Sequence, residues 1–227
     1  MNLETKINNQ SNKIRLHRPD LTPYLFHFTS GSNPIENIKS ILNQRKLESD
    51  KGYICFTDTP LSTIGEQLKY MNQFSTPMYS QFGIGFIRDR LITQFGCRPV
   101  IYGDKDELNY IDSFLHWRYE YLDISNHDFT WLREWRINGN TFDFSQIDLS
   151  DIMVIAPTEE ELSNIIEDID VDIDFEYDHC TRKSFPYQVY TIKRKWKGIP
   201  LSQAETFSDD NKIQDFLEIQ KIGEEIK

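Results

Sequence analysis

The sequence predicts an α+β fold. Aromatic residues make up 13% of the chain and hydrophobic residues 38%, which favours a packed, sheet-rich core although the average composition is polar. Predicted helices come early in the chain and predicted strands dominate later. This order is typical of α+β proteins and differs from the regular βαβ alternation of parallel-sheet proteins.

The first elements have clear boundary signals. Residues 24–30 (Tyr-Leu-Phe-His-Phe-Thr-Ser) have the aromatic and β-branched content of a strand, with Pro23 before them and a glycine after them. Asn33 and the proline that follows it predict a helix that runs to about Asn43, because Asn favours the N-cap and Pro the first helical position. Residues 53–57 read as a second strand.

Helix and strand signals continue through the middle of the chain. A capping-box pattern at Thr63 to Glu66 predicts a short helix from Ile64 to about Met71. Residues 82–86 (Phe-Gly-Ile-Gly-Phe) read as a strand whose two glycines indicate a close backbone approach or a bulge. Further elements are expected as a helix over 88–95, a strand over 99–102, and the longest helix, with its apolar stripe, over 104–122.

The second half is read mainly as strands. Alternation over 129–137 predicts a strand on which Glu134 points the same way as Leu132 and Arg136. The other expected elements are a buried strand over 152–156, a helix from Thr158 to about 169, an acidic edge strand or extended loop over 170–178, and a last strand over 187–192. We divide the chain into a lead-in over residues 1–20, one domain over 21–200, and an amphipathic C-terminal helix over 201–227.

Charge is distributed unevenly along the chain. The net charge is −11, and residues 137–181 contain thirteen Asp and Glu but no Lys or Arg. The acidic block over 143–178 is either a solvated face or a surface that meets a basic partner. The chain as a whole lacks the basic excess of a nucleic-acid-binding protein.

The cysteines and the hydropathy pattern indicate a cytoplasmic protein. Cys55, Cys97 and Cys180 are odd in number and far apart, which favours reduced thiols over disulfides or a zinc site. No apolar run approaches the roughly 20 residues that a transmembrane helix needs, and no secretory signal is visible. We expect neither a membrane partner nor a metal.

Common catalytic signatures are missing, and a scattered set of residues remains. The sequence contains no P-loop, no G-x-S-x-G and no H-E-x-x-H. His27 lies between two Phe residues, where it is either a core residue with a satisfied ring or a ligand contact in a cleft. Glu134 lies between two arginines, either as an ordinary cross-strand ion pair or as a carboxylate held ionised for function.

Five segments, in this order, resemble the AbiGi-type abortive-infection family and, more remotely, DarT-like and other ADP-ribosyltransferase-fold proteins. The resemblance covers about residues 24–137 and implies a split, mostly antiparallel β-sheet core with peripheral helices. The segments are Leu25–Thr29, Ile54–Leu61, Phe82–Phe86, Arg98–Tyr102 and Arg133–Arg136.

The resemblance also implies an NAD site. Transferases similar to the His-Tyr-Glu class place a strand histidine against the adenosine-side ribose, which His27 matches, and a late glutamate against the nicotinamide ribose, which Glu134 matches. An aromatic ring stacks on nicotinamide, and Tyr79 or Phe82 is the candidate. Arg136 or Arg45 is the expected donor to the diphosphate, and DarT-like enzymes use a first-half arginine, for which Arg45 is the candidate. Phe28, Thr29 and Phe56 are expected to line the cofactor site.

The implied function is bacterial anti-phage defence. The protein would transfer ADP-ribose from NAD to a nucleic acid or a protein, or hydrolyse NAD. The resemblance leaves room for a non-catalytic partner or antitoxin of a two-component system, which would bind a basic protein through the acidic block. RNA end-processing is a third reading, because RNA 2′-phosphotransferases share this fold and also use NAD.

Overall fold

The computed structural model describes residues 18–75, 77–126, 128–220 and 222, and the backbone of 225–226. The predicted lead-in over 1–20 therefore lies outside the described residues, except for its last three. The helices are α1 (Pro34–Gln44), α2 (Leu61–Met71), α3 (Arg88–Gln94), α4 (Glu159–Ile166), α5 (Leu201–Ala204) and α6 (Asn211–Glu218). Short 3-10 helices span Glu107–Tyr110, Ser113–Arg118, Thr130–Leu132 and Leu149–Asp151.

The strands, in chain order, are β1 (Tyr24–Phe28), β2 (Lys46–Glu48), β3 (Tyr53–Thr57), β4 (Gly83–Ile87), β5 (Arg98–Pro99), β6 (Ile101–Gly103), β7 (Tyr119–Tyr121), β8 (Glu134–Asn138), β9 (Thr141–Asp143), β10 (Ile152–Ala156), β11 (Glu167–Asp178), β12 (Lys183–Arg194), β13 (Gly198–Pro200) and β14 (Glu225–Ile226). Seven of them form one sheet in the order β13-β10-β4-β1-β3-β8-β5. Its neighbours are antiparallel except β10 and β13. The α+β prediction with a mostly antiparallel sheet is confirmed.

Both faces of the sheet are covered, which explains why β1 and β10 are apolar at nearly every position. Leu25 and Ile54 face a core that includes Ile38 of α1, which we call the α1-side core. Phe26 and Ile64 of α2 belong to the core on the other face, which we call the α2-side core. Helix α4 packs into the α1-side core, and helices α5 and α6 pack into the α2-side core.

The two glycines of β4 allow a close approach, as the sequence predicts. A Cβ atom on Gly83 would lie 2.7 Å from the carbonyl oxygen of His27 and 2.8 Å from the Phe28 ring. A Cβ atom on Gly85 would lie 2.9 Å from the Phe26 ring. Because side chains are missing at these two positions, the aromatic rings of β1 lie directly over β4.

Strands β1 and β3 are neighbours that barely pair. Their register contains one pair, Phe26 with Thr57, whereas β1 pairs with β4 over all five of its residues. A complete antiparallel ladder would continue with His27 opposite Phe56. The main sheet is therefore split between β1 and β3, and the two strands diverge towards the C-terminal end of β1.

The predicted long helix over 104–122 is wrong. The segment contains two 3-10 helices and the short strand β7. Asp112 accepts a hydrogen bond from the backbone N–H of Phe114 at 3.0 Å and thus starts a new turn in the middle of the predicted helix. Tyr110 and Phe114 are exposed, so the apolar residues of this segment have no continuous core to face.

The predicted strand over 129–137 begins too early. Asp128 accepts hydrogen bonds from the backbone N–H and the hydroxyl of Thr130, which stabilise a 3-10 turn instead. Arg133 then has a φ of 49°, a left-handed conformation that ends the turn. The strand proper starts at Glu134, and Glu134 and Arg136 do lie on the same face of it.

The acidic segment 170–178 is a strand. It belongs to β11, which pairs with β12 over twelve residues in a ribbon outside the main sheet. At the C-terminus the amphipathic helix is α6, which buries Ile213 and Leu217 and ends at Glu218. Among the described residues, no helix combines the length and the apolar character that crossing a membrane requires.

Candidate functional site

A small cavity of about 40 Å³ lies where β1 and β3 diverge. Residues from both strands, from α2 and from the start of β8 surround it, so the gap in the sheet and the cavity occupy the same place. The lining residues are Phe26, His27, Phe28, Cys55, Phe56, Thr57, Ile64, Leu68, Tyr79, Leu132 and Glu134.

The imidazole of His27 bridges the gap between the two strands. Its Nδ1 lies 2.8 Å from the carbonyl oxygen of Cys55 on β3. A carbonyl oxygen only accepts hydrogen bonds, so Nδ1 carries the proton and donates it. In the neutral ring Nε2 is then an acceptor, and no residue of the described ranges donates a hydrogen bond to it. Burial lowers the pKa of His27, although the bond to Cys55 opposes this effect, and the neutral form is therefore favoured.

Glu134 is held in place by an arginine on its own strand. Its side chain is 8% exposed, and the Nε of Arg136 donates to its Oε1 at 2.8 Å. The first two residues of β8 on this face thus form a buried ion pair beside the cavity. A buried carboxylate requires such a partner, because transfer of an unpaired charge out of water costs several kcal/mol.

Arg136 uses its remaining donors inside the protein. Its Nη1 donates to the carbonyl oxygens of Trp117 and Tyr119 at 3.2 and 3.0 Å, and its Nη2 pairs with Glu120. Its guanidinium lies 3.9 Å from the centre of the Tyr53 ring. Burial alone would lower the pKa of Arg136, but the hydrogen bonds to the two glutamates raise it. Arg136 is therefore a fixed cation that orients Glu134.

Arg45, the other predicted phosphate donor, does not line this cavity. Its Nη2 donates to the carbonyl oxygen of Ile147 at 2.8 Å, and its guanidinium lies 5.8 Å from the centre of the Trp196 ring. It is the C-cap residue of α1, with a φ of 54°. Arg45 therefore donates to the protein backbone and is not among the residues that line the cavity with His27 and Glu134.

His27 and Glu134 approach the gap from opposite faces of the sheet. Thr57 is paired with both Phe26 and Glu134, so these three side chains share the α2 side. His27 follows Phe26 on β1 and therefore points to the α1 side, where its ring packs edge-on against Phe56. His27 and Glu134 thus line the same cavity, but their side chains project from opposite faces of the sheet.

A second, polar cleft of about 260 Å³ lies on the α1 side, and His27 lines it as well. This cleft was not predicted from the sequence. Its side chains are mostly hydrogen-bonding groups of α1 and β2, and Lys46 supplies a cation. The lining residues are His27, Thr29, Ser30, Asn37, Ser40, Ile41, Gln44, Lys46, Leu47 and Glu48.

The aromatic candidates separate into two groups. Tyr79, Phe28 and Phe56 line the cavity, whereas Phe82 is buried in the α1-side core and does not. Thr29, at the end of β1, donates from its hydroxyl to the carbonyl oxygen of Phe82 and lies 2.6 Å from the Ser80 hydroxyl. These bonds hold the segment that carries Tyr79 against β1.

Cys55 and Tyr102 are two further ionisable side chains near Glu134, and both stay protonated at neutral pH. Burial raises the pKa of the Cys55 thiol to about 12, and the nearby Glu134 adds to the effect, so Cys55 is not a nucleophile at neutral pH. Burial likewise raises the pKa of Tyr102 to about 12, and its hydroxyl donates to the carbonyl oxygen of Phe129 at 3.0 Å. Tyr102 was missed from the sequence, because its predicted strand gave no sign of contact with Glu134.

The described part of the chain has no cluster of three or more His, Cys, Asp or Glu residues that could hold a metal ion. No family model matches the chain, and no curated protein or solved structure matches it either.

Proposed function

We propose that this protein binds NAD at the gap between β1 and β3 and acts as an ADP-ribosyltransferase-like enzyme of bacterial anti-phage defence. One observation carries the proposal: the sheet splits at His27, with an aromatic and carboxylate-lined cavity on one side and a polar cleft on the other. An extended ligand with one flat aromatic end and a charged middle has the chemistry that these two spaces would recognise. The defence role rests on the resemblance to the AbiGi-type and DarT-like families.

The inner cavity would take the nicotinamide end. Tyr79 supplies a ring on which nicotinamide stacks, and Glu134 accepts a hydrogen bond from the adjoining ribose. The volume of about 40 Å³ is little more than the space of one water molecule, so nicotinamide enters only when the Tyr79 ring moves aside. We therefore expect a change in the environment of Tyr79 on binding.

The polar cleft would take the phosphates and the adenosine-side ribose. Lys46 lines it and attracts the diphosphate, although Glu48 of the same strand places a carboxylate there as well. The amide of Asn37 donates one hydrogen to the carbonyl oxygen of Ser30 at 2.8 Å and has a second hydrogen for a ligand. His27 faces this cleft with Nε2 as a free acceptor, which suits a ribose hydroxyl as donor. In this account Lys46 replaces Arg136 and Arg45 as the phosphate cation.

The chemistry follows from the carboxylate. When the bond between nicotinamide and its ribose breaks, nicotinamide leaves with the bonding electron pair and positive charge develops on the ribose, as in glycoside hydrolysis. A preoriented Glu134 stabilises that charge, and Arg136 keeps it in position. A nucleophile, either water or an acceptor group on a nucleic acid or protein, then forms the new bond and loses its proton.

Loss of the carboxylate should abolish NAD consumption. We expect purified wild-type protein to release nicotinamide from NAD, and Glu134→Gln to do so at least about 100-fold more slowly, because the charge on the ribose then has no carboxylate partner. Nicotinamide release is measured by chromatography, with and without single-stranded DNA, RNA and protein acceptors.

Glu120→Gln is the matched control. Glu120 is the other carboxylate paired with Arg136, but it does not line the cavity. This variant disturbs the same arginine while Glu134 stays in place, so its rate should remain within about tenfold of wild type. Equal rates for wild type and Glu134→Gln, or no nicotinamide release by either with any acceptor, would contradict the enzymatic proposal.

A further inference from the structure

Strands β11 and β12 form a long ribbon whose side chains are mostly exposed, and β14 adds a third strand only beside Ile192 and Lys193. Ile173 and Phe175 are 66% and 62% exposed, which is unusual for large apolar side chains gathered on one strand. A two-stranded ribbon by itself is only marginally stable in water. Its exposed apolar side chains are therefore available for contact with a partner.

The two faces of β11 have opposite chemistry. Because side chains alternate along a strand, every second residue lies on the same face. After Glu167, which pairs with Arg194 at the start of the strand, one face carries only apolar residues and the other only acids. The apolar residues are Ile169, Val171, Ile173, Phe175 and Tyr177, and the acids are Asp168, Asp170, Asp172, Asp174, Glu176 and Asp178.

The acids in the middle of β11 lack basic neighbours. Lysines stand opposite only the two ends, Lys193 opposite Asp168 and Lys183 opposite Asp178. Asp170, Asp172 and Glu176 instead face an uncharged residue on β12. Within the described ranges no Lys or Arg forms an ion pair with these three acids or with Asp174.

Strand β11 also has an open edge. In the described part of the chain β11 pairs only with β12, so its other edge has no partner strand along its twelve residues. The N–H of Phe175 is an exception among the backbone donors, because it donates to Oδ1 of Asp174 at 2.8 Å. The outer edge of β12 is less suitable, because β14 covers Ile192 and Lys193 and because Pro186 has no N–H to offer.

We propose that β11 docks a protein partner by strand addition, and that the added strand alternates basic and apolar residues. Such a strand places its basic side chains beside the central carboxylates and its apolar side chains beside Ile173 and Phe175, while its backbone pairs with the open edge. A second copy of this chain does not fit that edge, because β11 against β11 would set carboxylates opposite carboxylates. The interaction is independent of NAD chemistry.

Synthetic strands test the mode of binding. The probes are twelve-residue peptides with a fluorescent label: alternating lysine and valine, alternating glutamate and valine, and the same lysines and valines in two separate blocks. We expect only the alternating lysine–valine peptide to bind, and to bind more weakly as NaCl rises from about 50 to about 500 mM. Equal binding of the block peptide would overturn the proposal, because simple charge attraction would then suffice.

Backbone methylation distinguishes strand addition from attachment to a face of the ribbon. Two versions of the binding peptide carry N-methyl groups on all the lysines or on all the valines, and each blocks one edge of the peptide strand. Strand addition uses one edge, so at least one version should bind about tenfold more weakly. If both bind as well as the parent peptide, strand addition is wrong.

Matched charge variants locate the site on the protein. Asp170→Asn, Asp172→Asn and Asp174→Asn together keep the strand pattern and should weaken peptide binding at least about tenfold. The control removes three exposed acids elsewhere through Asp50→Asn, Asp106→Asn and Glu160→Gln. Equal losses in the two triple variants would contradict the assignment to β11.

The state of association tests the alternative occupant. Sedimentation of the wild type, compared with Ile173→Ser combined with Phe175→Ser, should show a monomer in both cases. A dimer that is lost in the double variant would assign the ribbon to a second copy and overturn the proposal.

Discussion

At the scale of single residues, His27 is the side chain on which the candidate site depends. Its ring replaces the backbone pairing that would otherwise continue between β1 and β3, and its proton lies on the nitrogen that faces Cys55. The other nitrogen remains an acceptor only while the ring is neutral. The structure favours that state, because burial lowers the pKa of His27.

The neutral histidine predicts a specific dependence of stability on pH. Since the pKa of His27 is lower in the folded protein than in the unfolded chain, the unfolded chain binds the proton more strongly as the pH falls below about 6.5. The stability advantage of wild type over His27→Gln should therefore be larger at pH 8 and shrink as the pH falls through this range.

Urea unfolding of the two proteins at several pH values measures this difference. His116→Gln, which removes an exposed histidine outside both cavities, is the control for loss of an imidazole. A difference between wild type and His27→Gln that stays constant from pH 8 to pH 5 would contradict the neutral assignment.

Alternation alone could place Glu134 and Arg136 on one face of a strand, and the sequence predicted this pair. Alternation does not predict that Arg136 also bonds Trp117, Tyr119 and Glu120. These residues lie in the segment 104–122, whose apolar residues have the spacing of an α-helix although the segment forms none. We expected the guanidinium of Arg136 to donate hydrogen bonds to phosphate. Its N–H groups instead bond Glu134, Glu120 and the two backbone carbonyl oxygens.

At the scale of elements, α2 is joined to α6 by a buried carboxylate. Asp210, the N-cap residue of α6, is fully buried and accepts hydrogen bonds from the N–H groups of Leu61 and Ser62 at 2.7 and 3.0 Å. These groups are the first free donors of α2, and a carboxylate at a helix N-terminus also complements the helix dipole. Helix α2 in turn carries Ile64 and Leu68 into the wall of the inner cavity.

Truncation of this carboxylate should destabilise the fold. In Asp210→Ala the two N–H groups of α2 lose their partners in a buried place, so the free energy of unfolding should fall by about 1–3 kcal/mol. Urea denaturation measures the loss, with Asp215→Ala, an exposed acid on the same helix, as the control. Losses of equal size in the two variants would show that Asp210 does not cap α2.

Helix ends show why local patterns predict elements better than their boundaries. The N-cap half of the capping box at Thr158 forms, since the Thr158 hydroxyl accepts from the N–H of Glu161, and α4 starts where the sequence predicts. The similar pattern at Thr63 does not form, and α2 begins earlier, at Leu61. Its cap is Asp210, which lies 149 positions away from Leu61 in the sequence, so a local reading could not find it.

At the scale of the whole molecule, the order of the strands creates the site. β1 lies between β4 and β3, and β3 lies beside β8. His27 and Glu134 therefore line the same cavity although 107 positions separate them in the sequence. The alternation of residues along each strand can be recognised in the sequence, but the split in the sheet cannot. The split depends on which strands become neighbours and on the His27 ring, which takes the place of a backbone pair between β1 and β3. The β11–β12 ribbon lies outside the seven-stranded sheet and carries the docking site that we propose for a partner strand.

The central claim is that NAD binds at the split, across His27. Isothermal titration calorimetry with NAD on wild type, His27→Phe and His116→Phe tests it most directly. We predict one saturable site in wild type and His116→Phe with a dissociation constant at or below about 1 mM, and binding at least about tenfold weaker in His27→Phe, which lacks the Nε2 acceptor. Absence of binding to wild type at millimolar NAD, or equal affinity of all three proteins, would contradict the account.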